Sequence, residues 1–339
     1  MSSNMLKEAL ASADAVAAQL AAQGPVERVA AALRARDRQV ALTVARGSSD
    51  HAASYFAGLA MSVAGVPVAS LPMSIATLQQ APLKVEHQFA LAFSQSGKSP
   101  DLVDTMKALR TAGALTAAAV NVADSPLSAA CEFTLPLLAG PELSVAATKS
   151  YVAMLAMSAQ LVAHWNGDAA LLKAIETLPE SLRAAGALDW SSAVDALAGV
   201  DQMMVIGRGL SLAIAQESAL KLKETSGIQA EAFSSAEVQH GPMELIDQAY
   251  PLLVFAPRGP TQPGLITLAA DMRKRGARVL LAAPDDVAER DLPLVTTADP
   301  RLDPIAAIVS FYVMAASLAQ ARGRNPDTPR HLKKVTETH

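Results

Sequence analysis

The chain is poor in cysteine and aromatic residues and carries no strong excess of either charge. Cys131 is its single cysteine, which excludes an internal disulfide framework and a cysteine-rich metal site. The net charge of −4 gives no general attraction for nucleic acid or anionic membranes, so a bound phosphate requires a local site. Because the N-terminus lacks signal-peptide order and Ala52–Val68 is too interrupted to span a membrane, we expect a cytoplasmic protein.

Apolar sequence is abundant: 51% of the 339 residues are hydrophobic, enough for two α/β domains with separate cores. A pattern of strand, short polar loop and alanine-rich helix occurs twice. Gln39–Ala45 predicts a buried strand before an RGSS loop, and Gln202–Ile206 predicts another before GRGLS. Further apolar runs predict strands at Val66–Leu71, Phe89–Phe93, Leu115–Val120, Phe133–Leu138, Ala230–Phe233, Pro251–Ala256, Arg278–Ala283 and Leu292–Val295.

Helical patterns such as Ser99–Ala112 and Gly264–Arg275 lie between these runs. Strands that alternate with helices indicate parallel sheets covered on both faces, hence two tandem doubly wound α/β domains of three αβα layers. The boundary falls within Asn166–Val200, and we divide the chain into residues 1–180 and 181–339. Ligands bind beyond the carboxyl ends of such strands, which directs attention to the loops after Ala45, Phe93, Ile206 and Ala256.

One of these loops has the composition of a phosphate cradle. Ser94-Gln95-Ser96-Gly97-Lys98-Ser99 follows a predicted strand and precedes a helix that begins near Pro100. Hydroxyls, a glycine and a helix N-terminus suit an anion, although Ser99 and Pro100 could form a capped turn without a ligand. The corresponding loop of the second half, Pro257–Pro260, has no hydroxyl, and this asymmetry favours the cradle. Ser49 and the segment Ser144–Thr148 could close around the same ligand.

Acidic and basic side chains are concentrated in the second half. Glu217, Lys221 and Glu224 share one helical face at positions i, i+4 and i+7, an arrangement that exposed salt bridges would also explain. His240 precedes a Gly-Pro turn and could be either structural or catalytic. The basic segment Pro329–Lys334 could be a solvated tail.

Five motifs, in this order, make the chain resemble the sugar isomerase (SIS) family. They are SQSG (Ser94–Gly97), ATKS (Ala147–Ser150), ALKLKE (Ala219–Glu224), EVQHGP (Glu237–Pro242) and PRHLKK (Pro329–Lys334). The resemblance extends from about Ala45 to Val335. It is strongest to the isomerase half of glucosamine-6-phosphate synthase and to stand-alone amino-sugar-phosphate deaminases, and it implies two flavodoxin-like SIS domains.

The resemblance also implies a set of site residues. Those that would bind the sugar phosphate are Ser49, Ser94, Gln95, Ser96, Ser99 and Val145. Glu224 would move a proton between carbons 1 and 2, and His240 would open the sugar ring from the neighbouring subunit of a homodimer. Lys334 would approach the carbonyl, and Lys221 would assist. No metal or organic cofactor is implied.

Three positions depart from the synthase pattern. Ala147 replaces a serine, Ser99 replaces a threonine, and Lys333 replaces a small residue beside the implied catalytic lysine. The choice of Lys334 over Lys333 therefore depends on the alignment of PRHLKK.

The synthase takes ammonia from glutamine with an N-terminal cysteine nucleophile, whereas Cys131 lies far from the N-terminus. We therefore expect free ammonia as the nitrogen partner and deamination of glucosamine 6-phosphate to fructose 6-phosphate as the favoured direction. The alternatives are a deaminase for galactosamine 6-phosphate or fructosamine 6-phosphate, an isomerase indifferent to ammonium, and a sugar-phosphate sensor without catalysis.

Overall fold

The computed structural model of the chain describes residues 3–36 and 39–334. These residues form two compact units, each assembled from separate stretches of sequence. The first unit comprises the described residues of Asp14–Glu142, Lys149–Glu176 and Lys333–His339, and the second those of Met1–Ala13, Leu143–Thr148 and Thr177–Leu332. The predicted boundary between residues 180 and 181 stays a prediction.

Each unit contains one five-stranded sheet in which every strand pair is parallel. The first sheet contains β1 (Ala41–Val44), β2 (Val68–Ser70), β3 (Phe89–Ser94), β4 (Leu115–Val120) and β5 (Phe133–Pro136). The second contains β6 (Gln202–Gly207), β7 (Gln229–Ser234), β8 (Pro251–Phe255), β9 (Arg278–Ala283) and β10 (Leu292–Pro293). All the predicted strands are confirmed. β2 and β10, which keep half of their predicted lengths, are edge strands with one pairing neighbour each.

The two sheets have the same topology. Their orders are β2-β1-β3-β4-β5 and, counted from the other edge, β7-β6-β8-β9-β10. Both correspond to the doubly wound order 2-1-3-4-5, which is flavodoxin-like. The predicted fold class is confirmed.

Helices cover the sheets. They are α1 (Asn4–Leu10), α2 (Ser12–Leu20), α3 (Gly24–Arg34), α4 (Ser48–Val63), α5 (Met73–Thr77), α6 (Pro100–Thr111), α7 (Pro126–Ala130), α8 (Lys149–Asn166), α9 (Ala169–Glu176), α10 (Leu178–Gly186), α11 (Ser191–Leu197), α12 (Leu210–Lys221), α13 (Gln262–Lys274) and α14 (Asp303–Ala321). The stretch Pro300–Ala321 is long and apolar enough to cross a membrane, but 89% of its apolar window is buried within the protein. It therefore has the environment of a core helix.

The internal repeat extends to backbone conformation. Gly47 precedes α4 with φ 55° and ψ −133°, and Gly209 precedes α12 with φ 58° and ψ −131°. Side chains disfavour positive φ, so glycine lets the chain turn sharply from each first strand into its helix. The same turn therefore stands at the same place in both units.

Substitution of Gly97 by alanine measures how tightly the SQSG loop is packed. It has φ 65°, and an added Cβ would lie 2.2 Å from Ser125 Oγ. Gly65 has a similar φ of 68° with no atom within 4 Å of the added Cβ, so Gly65→Ala is a matched control for backbone strain. We expect Gly97→Ala to lower the free energy of unfolding by about 1–3 kcal/mol more than the control, because only it adds a collision. Equal urea midpoints would contradict a closely packed loop.

Candidate active site

The first unit has a cavity at the carboxyl edge of its sheet, between the loops that follow β1 and β3. The winding of the chain reverses between these two strands, and doubly wound sheets bind their ligands at that point. We call this space, of about 310 Å³, the cradle cavity. It is lined by Arg46, Gly47, Ser49, Phe93, Ser94, Gln95, Ser96, Ser99, Asp101, Leu102 and Lys334. Five of the six predicted phosphate-binding residues therefore line one cavity.

The serines of the cradle cavity shape its loop. The Ser94 hydroxyl accepts a hydrogen bond from the Gly97 N–H at 2.9 Å, and the Ser96 hydroxyl accepts one from Lys98 N–H at 3.3 Å. Ser99 occupies the N-cap position of α6, but its side chain makes no capping hydrogen bond. The structure therefore does not show the alternative, a turn capped by the Ser99 side chain.

Two cations line the cradle cavity, and each is paired with a buried carboxylate. Arg46 Nη2 lies 2.7 Å from Asp101 Oδ2, and Lys334 Nζ donates to Glu142 Oε2 at 3.1 Å. The exposed fractions of the Asp101 and Glu142 side chains are 2% and 0%. Glu142 also accepts hydrogen bonds from the backbone N–H and the hydroxyl of Ser150, at 3.1 and 2.7 Å. These carboxylates hold both cations in defined positions.

The C-terminal lysines and Val145 have different environments. Lys334 lines the cradle cavity, whereas the adjacent Lys333 is exposed and does not. Val145 belongs to the second unit, where its N–H donates to the Asp327 carbonyl at 3.0 Å. The structure thus groups Lys334 with the predicted serines and places Val145 in the other unit.

In the second unit, the predicted acid–base cluster is a buried network. Lys221 Nζ donates to Glu224 Oε2 and lies 3.5 Å from Glu217 Oε1. The Tyr312 hydroxyl donates to the same Glu217 oxygen at 3.0 Å. The exposed side-chain fractions of Lys221 and Glu217 are 1% and 0%, while that of Glu224 is 19%. Exposed salt bridges are therefore the wrong description of this helical face.

Glu224 stands on an unusual turn. Helix α12 ends at Lys221 and continues as a π-helical segment, Leu222–Ser226, which Gly227 closes in a left-handed conformation with φ 63°. Single π turns inside or after α-helices occur frequently at functional sites. The Glu224 carboxylate on this turn accepts a hydrogen bond from Lys221, and the Glu224 side chain is partly accessible.

A second cavity, of about 780 Å³, lies beside Glu224 within the second unit. We call it the Glu224 cavity. Its lining comprises Leu220, Lys223, Glu224, Thr225, Arg322, Gly323, Arg324, Asn325, Thr328, Pro329, Arg330, His331 and Leu332. The Glu224 carboxylate therefore faces a space large enough for a small polar molecule and rich in basic side chains.

His240 is not near Glu224 within this chain. Glu224 precedes β7, whereas His240 ends a 3₁₀ turn, Glu237–His240, that follows β7. The strand has six residues at about 3.3 Å each, so the two lie at ends roughly 20 Å apart. His240 is exposed, and Gly241 after it has φ 146°.

Four residues of these sites were missed from the sequence. Arg46 and Asp101 line the cradle cavity, Glu142 binds Lys334, and Tyr312 binds Glu217. Arg46 is the first residue of the RGSS loop and could have been suspected. The other three could not, because each is brought to its partner by chain folding across 55, 192 or 95 residues.

The Tyr312 hydroxyl should matter for stability because it satisfies a fully buried carboxylate. We expect Tyr312→Phe to lower the free energy of unfolding by about 1–3 kcal/mol. Tyr250→Phe is the control, since Tyr250 is only half-buried in the same unit, and its loss should be under about 0.5 kcal/mol. Urea unfolding of both variants measures the difference, and equal losses would show that the hydroxyl contributes nothing specific.

Comparison with known proteins identifies the family. The SIS domain pattern matches residues 36–164 and 196–319. A relative named glutamine–fructose-6-phosphate aminotransferase (isomerizing), from Aeropyrum pernix, is 33% identical over 317 residues, which cover 87% of this chain and 50% of the relative. The chain spans about half the length of the curated relatives it matches.

Solved structures agree on the fold. The structure of a candidate phosphosugar isomerase from Silicibacter pomeroyi DSS-3 is 40% identical, with a TM-score of 0.91 over 96% of this chain and 100% of that one. Glucosamine-6-phosphate deaminase from Thermotoga maritima is 21% identical, with a TM-score of 0.74 over 99% of this chain and 100% of that one. At that identity the second likeness shows the fold alone. On the matches over both halves of its sequence, this chain belongs to the SIS domain family.

Proposed function

We propose that this protein is a sugar-phosphate isomerase that deaminates a phosphorylated amino sugar, most simply glucosamine 6-phosphate, to fructose 6-phosphate and ammonia. The observation that carries the proposal is the fixed Glu224 carboxylate. A buried lysine holds it against the helix end, and it faces a cavity of about 780 Å³. A single positioned carboxylate suffices for proton transfer between adjacent carbons, because its conjugate acid returns the proton.

The proposed reaction balances with water as the only co-reactant. Ring opening gives a free aldehyde at carbon 1 and an amine at carbon 2. Glu224 takes the carbon-2 proton while the carbonyl oxygen gains a proton, which forms an enolamine. Glu224 then returns a proton to carbon 1 while the amine loses one, which leaves an imine at carbon 2. Water hydrolyses the imine, releasing ammonia and fructose 6-phosphate.

Other residues have supporting roles in this proposal. The serines of the cradle cavity bind the phosphate, and Lys334 approaches the carbonyl. Lys221 keeps Glu224 in place, since its Nζ donates a hydrogen bond to Glu224 Oε2. His240 opens the ring, because an imidazole can both donate and accept a proton. Because His240 and Glu224 lie at opposite ends of β7, the proposal takes His240 from the second subunit of a homodimer.

Cys131, the single cysteine of this sequence, is buried in the first unit. Glutamine hydrolysis of the synthase type needs a cysteine thiolate, and burial raises the pKa of the Cys131 thiol to about 12. At neutral pH this side chain stays a protonated thiol in the core. The proposed reaction therefore gives Cys131 no role.

The reaction is tested by incubating the purified chain with glucosamine 6-phosphate and measuring ammonia and fructose 6-phosphate together. We expect equal amounts of both, and a turnover rate about 10²–10⁴-fold lower in Glu224→Gln, which keeps the shape but not the base. Lys223→Gln is the control, because Lys223 adjoins Glu224 in the chain and has no role in the proposed proton transfer.

Other outcomes identify the alternatives. Turnover of galactosamine 6-phosphate or fructosamine 6-phosphate instead would change the substrate. Aldose–ketose conversion without ammonia would indicate a plain isomerase. Binding without turnover of any of them would contradict an enzyme and favour a sugar-phosphate sensor.

Sharing of His240 between subunits is tested with mixed dimers. Glu224→Gln and His240→Ala homodimers should each be inactive. A hybrid dimer would contain one site with both native residues, so random pairing should restore about a quarter of native activity. Native mass spectrometry verifies the mixing. If confirmed hybrids stay inactive, both residues act within one chain and the shared site is wrong.

A further inference from the structure

Arg46 is the most exposed charged group at the cradle cavity, and the reaction proposed above assigns it no role. Its Nε and Nη2 both donate to Asp101 Oδ2, at 2.8 and 2.7 Å. The Arg46 side chain is 58% exposed, whereas that of Asp101 is 2% exposed. The Asp101 carboxylate of this pair is therefore buried in the protein, whereas the Arg46 guanidinium lies toward the cavity.

Asp101 is itself fixed. It lies in the first turn of α6, where its Oδ1 accepts a hydrogen bond from the Leu102 N–H at 2.8 Å. A carboxylate in the first turn of a helix is also favoured by the helix dipole. Asp101 is thus a rigid anchor, and it limits where the Arg46 guanidinium can lie.

A phosphate in this cavity needs charge as well as hydroxyl donors. The serine hydroxyls donate hydrogen bonds but carry no charge, and Lys334 is tied to Glu142. A guanidinium has five donors, of which the Asp101 contact uses two, and its planar fork matches phosphate oxygens.

We propose that Arg46 binds the phosphate dianion of the ligand and that Asp101 is its positioning residue. This inference rests on the proposed function, because it assumes that the cradle cavity holds a phosphate. It deepens that function by assigning recognition of the dianion to a residue outside the serine motif.

Neutralising Asp101 tests the proposal, because the two explanations of its role predict opposite changes in anion affinity. If Asp101 were only a nearby negative charge, neutralising it would strengthen the binding of an anion. If it anchors Arg46, Asp101→Asn weakens binding, because an amide holds a guanidinium less firmly and the side chain becomes free to leave the cavity.

The chain offers a matched control pair in the second unit. Arg258 follows β8 and donates from Nε and Nη2 to Asp303 at 2.8 Å each, and the Asp303 side chain is 2% exposed. Arg258→Gln and Asp303→Asn repeat the same chemical changes at a helix start outside the cradle cavity. They report any general effect of losing such a pair.

The experiment is calorimetric titration of the full chain with inorganic phosphate and with fructose 6-phosphate. We expect Arg46→Gln to weaken both affinities about 10- to 100-fold, the range for a charge-assisted hydrogen bond. Arg46→Lys should recover part of the loss, and Asp101→Asn should also weaken binding. The two control variants should bind as the native chain does, with thermal unfolding verifying that every variant is folded.

The results separate the two proposals. If the native chain binds neither ligand, the phosphate cradle is wrong, and this inference fails with it. If the native chain binds and Arg46→Gln binds equally well, the cradle stands and Arg46 has no part in it. Tighter binding by Asp101→Asn would overturn the anchoring role of Asp101.

Discussion

In each unit, the parallel pairing of the first strand with the third determines where the functional loops can lie. β1 pairs with β3 and β6 with β8, and the winding reverses between them. Loops that leave adjacent parallel strands at such a point diverge to opposite faces of the sheet and leave a crevice. In the first unit this crevice is the cradle cavity. The serines of the SQSG loop and the turn at Gly47 meet there because of strand order.

Buried charge is handled by the same arrangement at three places around the two cavities. A cation pairs with buried carboxylates in each case: Arg46 with Asp101, Lys334 with Glu142, and Lys221 with Glu217 and Glu224. The first three carboxylates are at most 2% exposed, and that of Glu224 is 19% exposed. A buried carboxylate without partners would be very costly, and these have additional donors such as Ser150 and Tyr312. Such pairs contribute little net stability, but they fix the positions of the groups that face each cavity.

The two units share a topology and use it differently. The first places polar side chains at the carboxyl ends of its strands. In the second, the corresponding loop contains Arg258, whose guanidinium is bound to Asp303, and Glu224 lies instead where α12 has run back to the amino ends of the strands. Glu224 stands there on the π turn after Lys221, and its side chain is 19% exposed. The rule that doubly wound sheets bind ligands beyond the carboxyl ends of their strands therefore predicted the cradle cavity. It could not predict the role of Glu224, which the family resemblance implied.

The sequence by itself determined the strands, their alternation with helices, the repeated glycine turn and the serines of the cradle. These are local properties, because periodicity of apolar residues and a positive φ are set within a few residues. Tertiary structure alone decided that Glu217 and Lys221 are buried and that Asp101 and Glu142 hold the two cradle cations. Burial and ion pairing depend on which distant segments pack together, and a single sequence does not encode those partners in any local pattern.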